Sequence, residues 1–402
     1  MKVLMLGWEL PPYHVGGMGI ACEQLCRNLA STGVDIEFVI PFDADFSHLD
    51  YMNVNPATTI NFYTMAANNF DIYSSKHYHT STQTLPANDI EVAYEKYVEK
   101  LVNLGSFDII HAHDWLTFRA GLSAKQKSGK PLIVHVHATE FDRAGRAYGN
   151  QLVREIEYMG FQLADRIIAV SQATKQIIID EYGISASKID VAHNAYHFNP
   201  YEQLNGLNVY KYLDLLKKHG YQVVLSAGRL TIQKGLTHLM RAAKDVIAHQ
   251  PKTIFLFVGS GDQYNELIRL SAELGISNNV IMVGHLNGTG QPWRDSFRIA
   301  DVFVLPSVSE PFGLTPLEAL SHSTPVIISK QSGVSEVLNH CLKVDFWDEQ
   351  ELANKLIAVL RDLPLKSMLS ENGQRELNHI TWKRSIDTIV EAYQRHLQGA
   401  SP

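Results

Sequence analysis

Short runs of β-branched and other apolar residues alternate with stretches of helical period along the chain. The first set reads KVLMLG, VDIEFVIPF, FDIIHAHD, PLIVHVHAT, RIIAVS and IDVAHNA. After a polar stretch near 198–220 a second set reads QVVLSAGR, TIFLFVGSGD, VIMVGHL, DVFVLPS, PVIISK and LKVDF. Strand runs spaced by helical patterns predict βα units and parallel sheets, so two doubly wound sheets are expected. Ligands of such sheets sit beyond the carboxyl ends of the strands, where every unusual motif of this chain falls. Two domains of this kind, facing each other, would share one cleft. The segment from Asp43 to about Ala87 breaks the pattern and reads as loops or small strands decorating the first domain. The closing TWKRSIDTIVEAYQRHLQ predicts an amphipathic helix.

Composition supports two cores. A chain of 402 residues, 45% hydrophobic and 19% charged, exceeds what one core organises, and two domains of about 200 residues each are expected. A formal net charge of -7, with no long Lys/Arg run, argues against nucleic acid or anionic lipid as partner. The apolar stretch before Trp8 and Glu9 is too short for a signal h-region or a membrane span, which sets the expected location in the cytoplasm. Three cysteines make no disulfide framework, and Cys22 and Cys26 fall on an apolar helical stripe with Met18, Ala21, Leu25 and Leu29, as core residues.

Several motifs carry candidate chemistry. WELPPYHVGGMGIACEQL ends a strand and reaches Gly16, Gly17 and Gly19 just before a helix, so backbone amides can face an anion. Eight residues separate Gly7 from Gly16, which departs from the tight turn of the dinucleotide fingerprint and disfavours a dehydrogenase. SAGRLTIQKG places Arg229 at a strand end and Lys234 near the next helix, a guanidinium and an ammonium suited to a diphosphate. VGSGDQ is a weaker second turn. EPFGLTPLEAL sets Glu310 and Glu318 around a Phe-Gly-Leu-Thr-Pro turn. Thr315, Pro316 and Glu318 fit an N-cap, a first-turn proline and a capping-box acid, which offers Glu318 a structural role that Glu310 lacks. HAHDW and HVHATEFD pair His111 with His113 and His135 with His137, near Asp114, Glu140 and Asp142. Such pairs on neighbouring strands can bind metal, so a metallohydrolase competes with buried, hydrogen-bonded histidines.

HVGGMG, HAHDW, HVHATEFDR, GRLTIQKG and SEPFGLTPLEAL, in that order along the chain, resemble the motifs of retaining family-4 glycosyltransferases. The glycogen and starch synthase branch is the most similar, and the likeness covers essentially the whole chain. The resemblance implies a GT-B fold: two Rossmann-like doubly wound domains facing a central cleft, an acceptor-side domain at 1–200 and a nucleotide-sugar domain at 205–380. The last helix, 382–402, is then expected to pack back on the first domain. By the same resemblance Glu310 binds donor-sugar hydroxyls, Glu318 the ribose, and Arg229 and Lys234 the diphosphate. His137 lies beside the transferring sugar, Gly16 and Gly17 close over the phosphates, and the backbone of Phe312, Gly313, Leu314 and Thr315 adds donors.

The expected activity is transfer of a hexose, glucose foremost, from a nucleoside diphosphate sugar such as UDP-glucose or ADP-glucose to a saccharide-like acceptor, with retention and with neither cofactor nor metal. Two departures weigh against a glycogen polymerase and an adenine nucleotide: HNAYHF replaces an Asn-Gly element, and His14 and Val15 stand where bacterial glycogen synthases have a lysine. The alternatives are a nucleotide-sugar epimerase of the same architecture and a non-catalytic glycan or nucleotide-sugar binder.

Overall fold

The computed structural model describes residues 1–13, 17–60, 87–196, 208–286 and 290–398. Two compact units divide the chain, one comprising Met1–Asn194 and the segment from Trp382 onward, the other Ala195–Thr381.

The first unit holds β1 (Lys2–Leu6), β2 (Asp35–Ile40), β3 (Asn53–Pro56), β4 (Ile109–His113), β5 (Leu132–Val136), β6 (Arg166–Ala169) and β7 (Ile189–Val191). Among the described residues they form one sheet in the order β3-β2-β1-β4-β5-β6-β7, every pair parallel. Six of these strands grow from the six apolar runs of the first half. β3 lies inside the irregular segment after Asp43, where Asn53, Asn55 and Pro56 hide it from a hydrophobicity reading, and pairing with β2 makes it a strand. The rest of that segment, 61–86, lies outside the described residues.

The second unit holds β8 (Gln222–Ala227), β9 (Thr253–Val258), β10 (Val280–Gly284), β11 (Val302–Leu305), β12 (Val326–Ser329) and β13 (Leu342–Val344). Their order is β10-β9-β8-β11-β12-β13, again parallel throughout. Val224, Phe255, Phe257, Val302, Val304 and Ile327 of these strands pack on Leu239, Met240, Ala243 and Val246 of helix Leu236–His249 and on Leu352, Leu356 and Val359 of helix Glu349–Arg361.

Both sheets reverse strand order beside their first strand, β1 against β4 and β8 against β11. That reversal opens a crevice at the carboxyl ends of the two diverging strands, the usual ligand position of an open α/β sheet. It therefore singles out the loops after β1 and β4 in one unit and after β8 and β11 in the other.

Helix Gly17–Ala30 buries Met18, Ala21, Cys22, Leu25, Cys26 and Leu29, the stripe expected from the sequence. Helix Trp382–Gln398 belongs to the first unit and buries Trp382, Ile386, Ile389, Ala392 and Tyr393. Its anchors are polar as well: Trp382 Nε1 donates to Gln24 Oε1 at 3.1 Å, Ser385 donates to the His193 carbonyl, and the Tyr393 hydroxyl meets His111 Nδ1. No helix of the described residues is long and apolar enough to cross a membrane.

Candidate active site

In the second unit the loops after β8 and β11 are built against each other. Arg229 follows β8, and its guanidinium donates to Gln233 Oε1 at 3.3 Å. Residues Ile232–Lys234 form a single tight turn ahead of helix Leu236–His249. Gly235 closes that turn at φ 63°, and a Cβ there would fall 2.1 Å from the Pro306 carbonyl oxygen, so only glycine lets the turn lie against the end of β11. The Val308 amide donates to the Gln233 carbonyl at 2.9 Å, which locks the two loops together.

This packing brings Lys234 to Glu310 across 76 residues of sequence. The ammonium pairs with Glu310 Oε2, which also accepts from Ser307 Oγ at 3.1 Å. Glu310 is 8% exposed, and its backbone is stitched to the 331–334 segment through Glu310 N to the Gln331 carbonyl at 3.3 Å and Gly333 N to the Glu310 carbonyl at 2.8 Å. Gly313 turns the chain at φ 96°, with Phe312 buried before it.

The helix that follows is Thr315–Ser321. Leu314 takes the N-cap position with no side-chain cap bond, so Thr315 and Pro316 fill the first helical positions and the expected capping box does not form. Thr315 begins the helix one residue too late to cap it. Glu318 is thereby released from the structural role its spacing offered. Its carboxylate, 5% exposed, accepts from Trp293 Nε1 at 3.2 Å. Burial pushes its pKa up to about 7, with the Trp293 hydrogen bond opposing. Burial and then the Glu318 charge raise the pKa of Tyr196 as well. Sequence reasoning missed Trp293 and Ser307. Trp293 sits on the short helix Gln291–Ile299 and rests edge-on against Phe297 at 5.5 Å, and nothing in its local pattern marks it apart from a packing residue.

In the first unit, Gly17 opens the helix after the β1 loop, and Gly16 lies outside the described residues. The four histidines come together at the ends of β4 and β5. His111 stacks on His113 at 4.7 Å and His135 on His137 at 4.6 Å. Across the strands His111 Nε2 meets His135 Nδ1 at 3.2 Å, and His113 Nδ1 meets His137 Nε2 at 2.9 Å. Burial holds the first three imidazoles well below their usual pKa, and takes that of His137 down to about 3. All four are neutral ligands or hydrogen-bond partners at ordinary pH. Donor atoms of Cys22, His113 and His137 lie within 4.8 Å of one another, as do those of His111, His113 and His135, so these are the sets able to hold a metal among the described residues.

The acids near them are committed elsewhere. Asp114, at φ 55°, accepts from the His137 amide at 2.7 Å and the Ala138 amide at 3.4 Å, and burial pushes its pKa up to about 6. Asp142 forms a capping box with Thr139. Glu140 takes Arg143 at 3.1 Å and the Asn150 amide at 2.8 Å, while Arg143 also pairs with buried Glu157. The TEFDR stretch thus supplies rigidity to the His137 loop, and the Glu140 and Asp142 carboxylates are bound up within that scaffold.

Comparison with known proteins matches residues 15–199 to the model "Glycosyltransferase Family 4" and residues 214–376 to "Glycosyl transferases group 1". An uncharacterized glycosyltransferase of Methanocaldococcus jannaschii is 28% identical over 98% of both chains. Glycogen synthase of Mycobacterium tuberculosis is 26% identical over 84% of this chain and 80% of its own. Among solved structures, Anabaena HepE in complex with UDP-glucose has a TM-score of 0.72 at 20% identity, covering 98% of this chain and all of that one. Together these give the fold as GT-B, with two Rossmann-like domains.

Proposed function

Since the chain belongs to the glycosyltransferases, we propose that it moves a hexose, glucose foremost, from a nucleoside diphosphate sugar to a hydroxyl of a saccharide-like acceptor, with retention and without a metal. The observation that carries this reading is the pairing of Lys234 with Glu310 at the switch point of the second sheet. A cation for phosphate and an acid for sugar hydroxyls stand side by side there, joined by Ser307, with Arg229 on the adjoining loop.

Each residue then has a task that its chemistry suits. Arg229 and Lys234 hold the diphosphate. Glu310 accepts from the hydroxyls of the transferring hexose, and the turn Phe312–Gly313–Leu314–Thr315 adds backbone donors. Glu318, steadied by Trp293 and ionised as pH rises past about 7, accepts from the ribose. In the other domain Gly16 and Gly17 serve the phosphates and His137 a sugar hydroxyl.

As the bond from the anomeric carbon to the donor phosphate breaks, its electron pair goes to the phosphate oxygen. Fixed cations worth several kcal/mol in such positions lower that barrier. The acceptor oxygen bonds to the same face of the carbon, and its proton passes to the leaving phosphate. Similarity to glycogen synthase and to a UDP-glucose-bound structure supports glucose and a glycogen synthase-like reaction. Incubation with a panel of nucleoside diphosphate hexoses and with glucosides, maltooligosaccharides and lipid acceptors, read by mass, tests the proposal. A binder releases no nucleotide, and an epimerase changes the donor without an acceptor.

A further inference from the structure

His137 has one ring nitrogen turned inward, and the identity of its neighbours decides where its proton sits. The deciding neighbour is Met5, through His113. Its thioether sulfur lies 3.1 Å from His113 Nε2, and a thioether carries lone pairs and no proton. A bare Nε2 there would set lone pair against lone pair, so His113 carries its proton on Nε2. His113 is fully buried and neutral, so its other nitrogen, Nδ1, is an acceptor. His137 Nε2 lies 2.9 Å from that acceptor and must donate to it. Cys22 Sγ, 3.7 Å from the same Nε2, is a weak second acceptor for that proton. A neutral imidazole carries one proton, which leaves His137 Nδ1 bare.

We infer that Met5 and His113 are positioning residues that hold His137 as its Nε2–H tautomer, so that Nδ1 can accept a hydrogen bond from a sugar hydroxyl and cannot donate one. This rests on the proposal that His137 meets the sugar, and it adds the polarity of that contact. The scaffold is suited to the task. The His137 amide is tied to Asp114, and Arg143 donates to the Ala138 carbonyl at 3.0 Å, so the ring is carried on a fixed backbone. The imidazole of His135 stacks on it nearly parallel, at an interplanar angle of 4°.

The test has a spectroscopic arm and a kinetic arm. Long-range proton–nitrogen spectra of the full chain, with isotope-labelled histidine and the His137 signals assigned by their loss in His137→Gln, read the tautomer directly. Nε2–H with bare Nδ1 is expected in the wild type. Met5→Leu is a volume-conserving swap that cores tolerate. It removes the sulfur acceptor, so the His113 proton is expected to move to Nδ1 and to drive that of His137 from Nε2 to Nδ1. His113→Phe, which cannot accept, is expected to lose the tautomer preference, and His113→Asn, which can, to keep it.

The kinetic arm uses donors in which each sugar hydroxyl in turn is replaced by fluorine, which accepts but never donates. At one position the wild type is expected to lose about three- to tenfold in kcat/KM, the worth of one neutral hydrogen bond. That loss should shrink in Met5→Leu and persist in His113→Asn, a pattern that mere loosening of the fold does not produce. Nδ1–H in the wild type, or an unchanged His137 tautomer in Met5→Leu, overturns the inference. The expected tautomers together with fluorine penalties that are equal in wild type and Met5→Leu overturn the sugar contact of His137, and leave the donor-binding role of the second domain to be judged on its own variants.

Discussion

Replacing Glu318 by Gln tests the buried acid at the start of helix Thr315–Ser321. Folding raises the pKa of this carboxyl from an ordinary 4.5 to about 7, chiefly by burial. Between those values the folded chain holds a proton that the unfolded chain has released, so stability falls as pH rises through the window and stays low above it. The gap between 4.5 and about 7, at about 1.4 kcal/mol per pH unit, amounts to roughly 3 kcal/mol. Glu318→Gln keeps an acceptor for Trp293 Nε1 and has no charge to bury. It should match the wild type near pH 4.5 and exceed it by about 3 kcal/mol at pH 8. Asp114 and Glu157, also raised, lie in the other unit and are common to both proteins, so the difference isolates Glu318. Denaturant unfolding of both proteins from pH 4.5 to 8 measures it. The same ionisation makes wild-type affinity for a nucleoside, which carries the ribose and no titrating phosphate, rise as pH passes through about 7 and level off above it, and titration calorimetry should find the variant flat. A stability difference independent of pH would refute the buried-acid reasoning, and a wild-type affinity independent of pH would refute the ribose role.

Glu310→Gln should cut turnover by about a hundredfold, as loss of a charge-assisted contact in the transition state does. Because Glu310 is the partner of the Lys234 ammonium, the variant should also lose about 1–2 kcal/mol of stability by denaturant unfolding, more than a lone acid in its place would. Arg229→Ala and Lys234→Ala should each lower kcat by about a hundredfold, and the double variant should be less than additive in free energy since both serve one diphosphate. Near wild-type kinetics in both single variants would reduce them to surface charges. Turnover should survive exhaustive chelation, and elemental analysis should find no stoichiometric zinc on the histidine sets. Stoichiometric metal whose removal abolishes turnover would contradict metal-free transfer.

Much of the fold is readable from the chain because parallel strands advertise themselves as apolar runs, and all twelve of those runs became strands. β3 shows no apolar run, and within a segment expected as loops or small strands it became a strand through pairing with β2. The switch-point loops were found for the same reason, as Arg229 and Glu310 stand where apolar runs end. What sequence could not supply is pairing between distant side chains. Lys234 with Glu310 and Trp293 with Glu318 depend on the register of β8 beside β11 and on the approach of a separate helix. The Thr315 cap failed over one residue, because Leu314 takes the N-cap position and Thr315 is already helical. The alternation of His111 with His113 and of His135 with His137 put each pair on one face, yet their joining across β4 and β5, and the tie to Met5, follow only from strand order.

The most direct measurement is the anomeric configuration of the product formed from an α-linked nucleoside diphosphate hexose, followed by proton NMR from the first turnovers with a saccharide acceptor. Glycosyl transfer with retention predicts an α-linked product appearing in step with free nucleoside diphosphate. A β-linked product, or nucleoside diphosphate released with no new glycosidic bond, would contradict it.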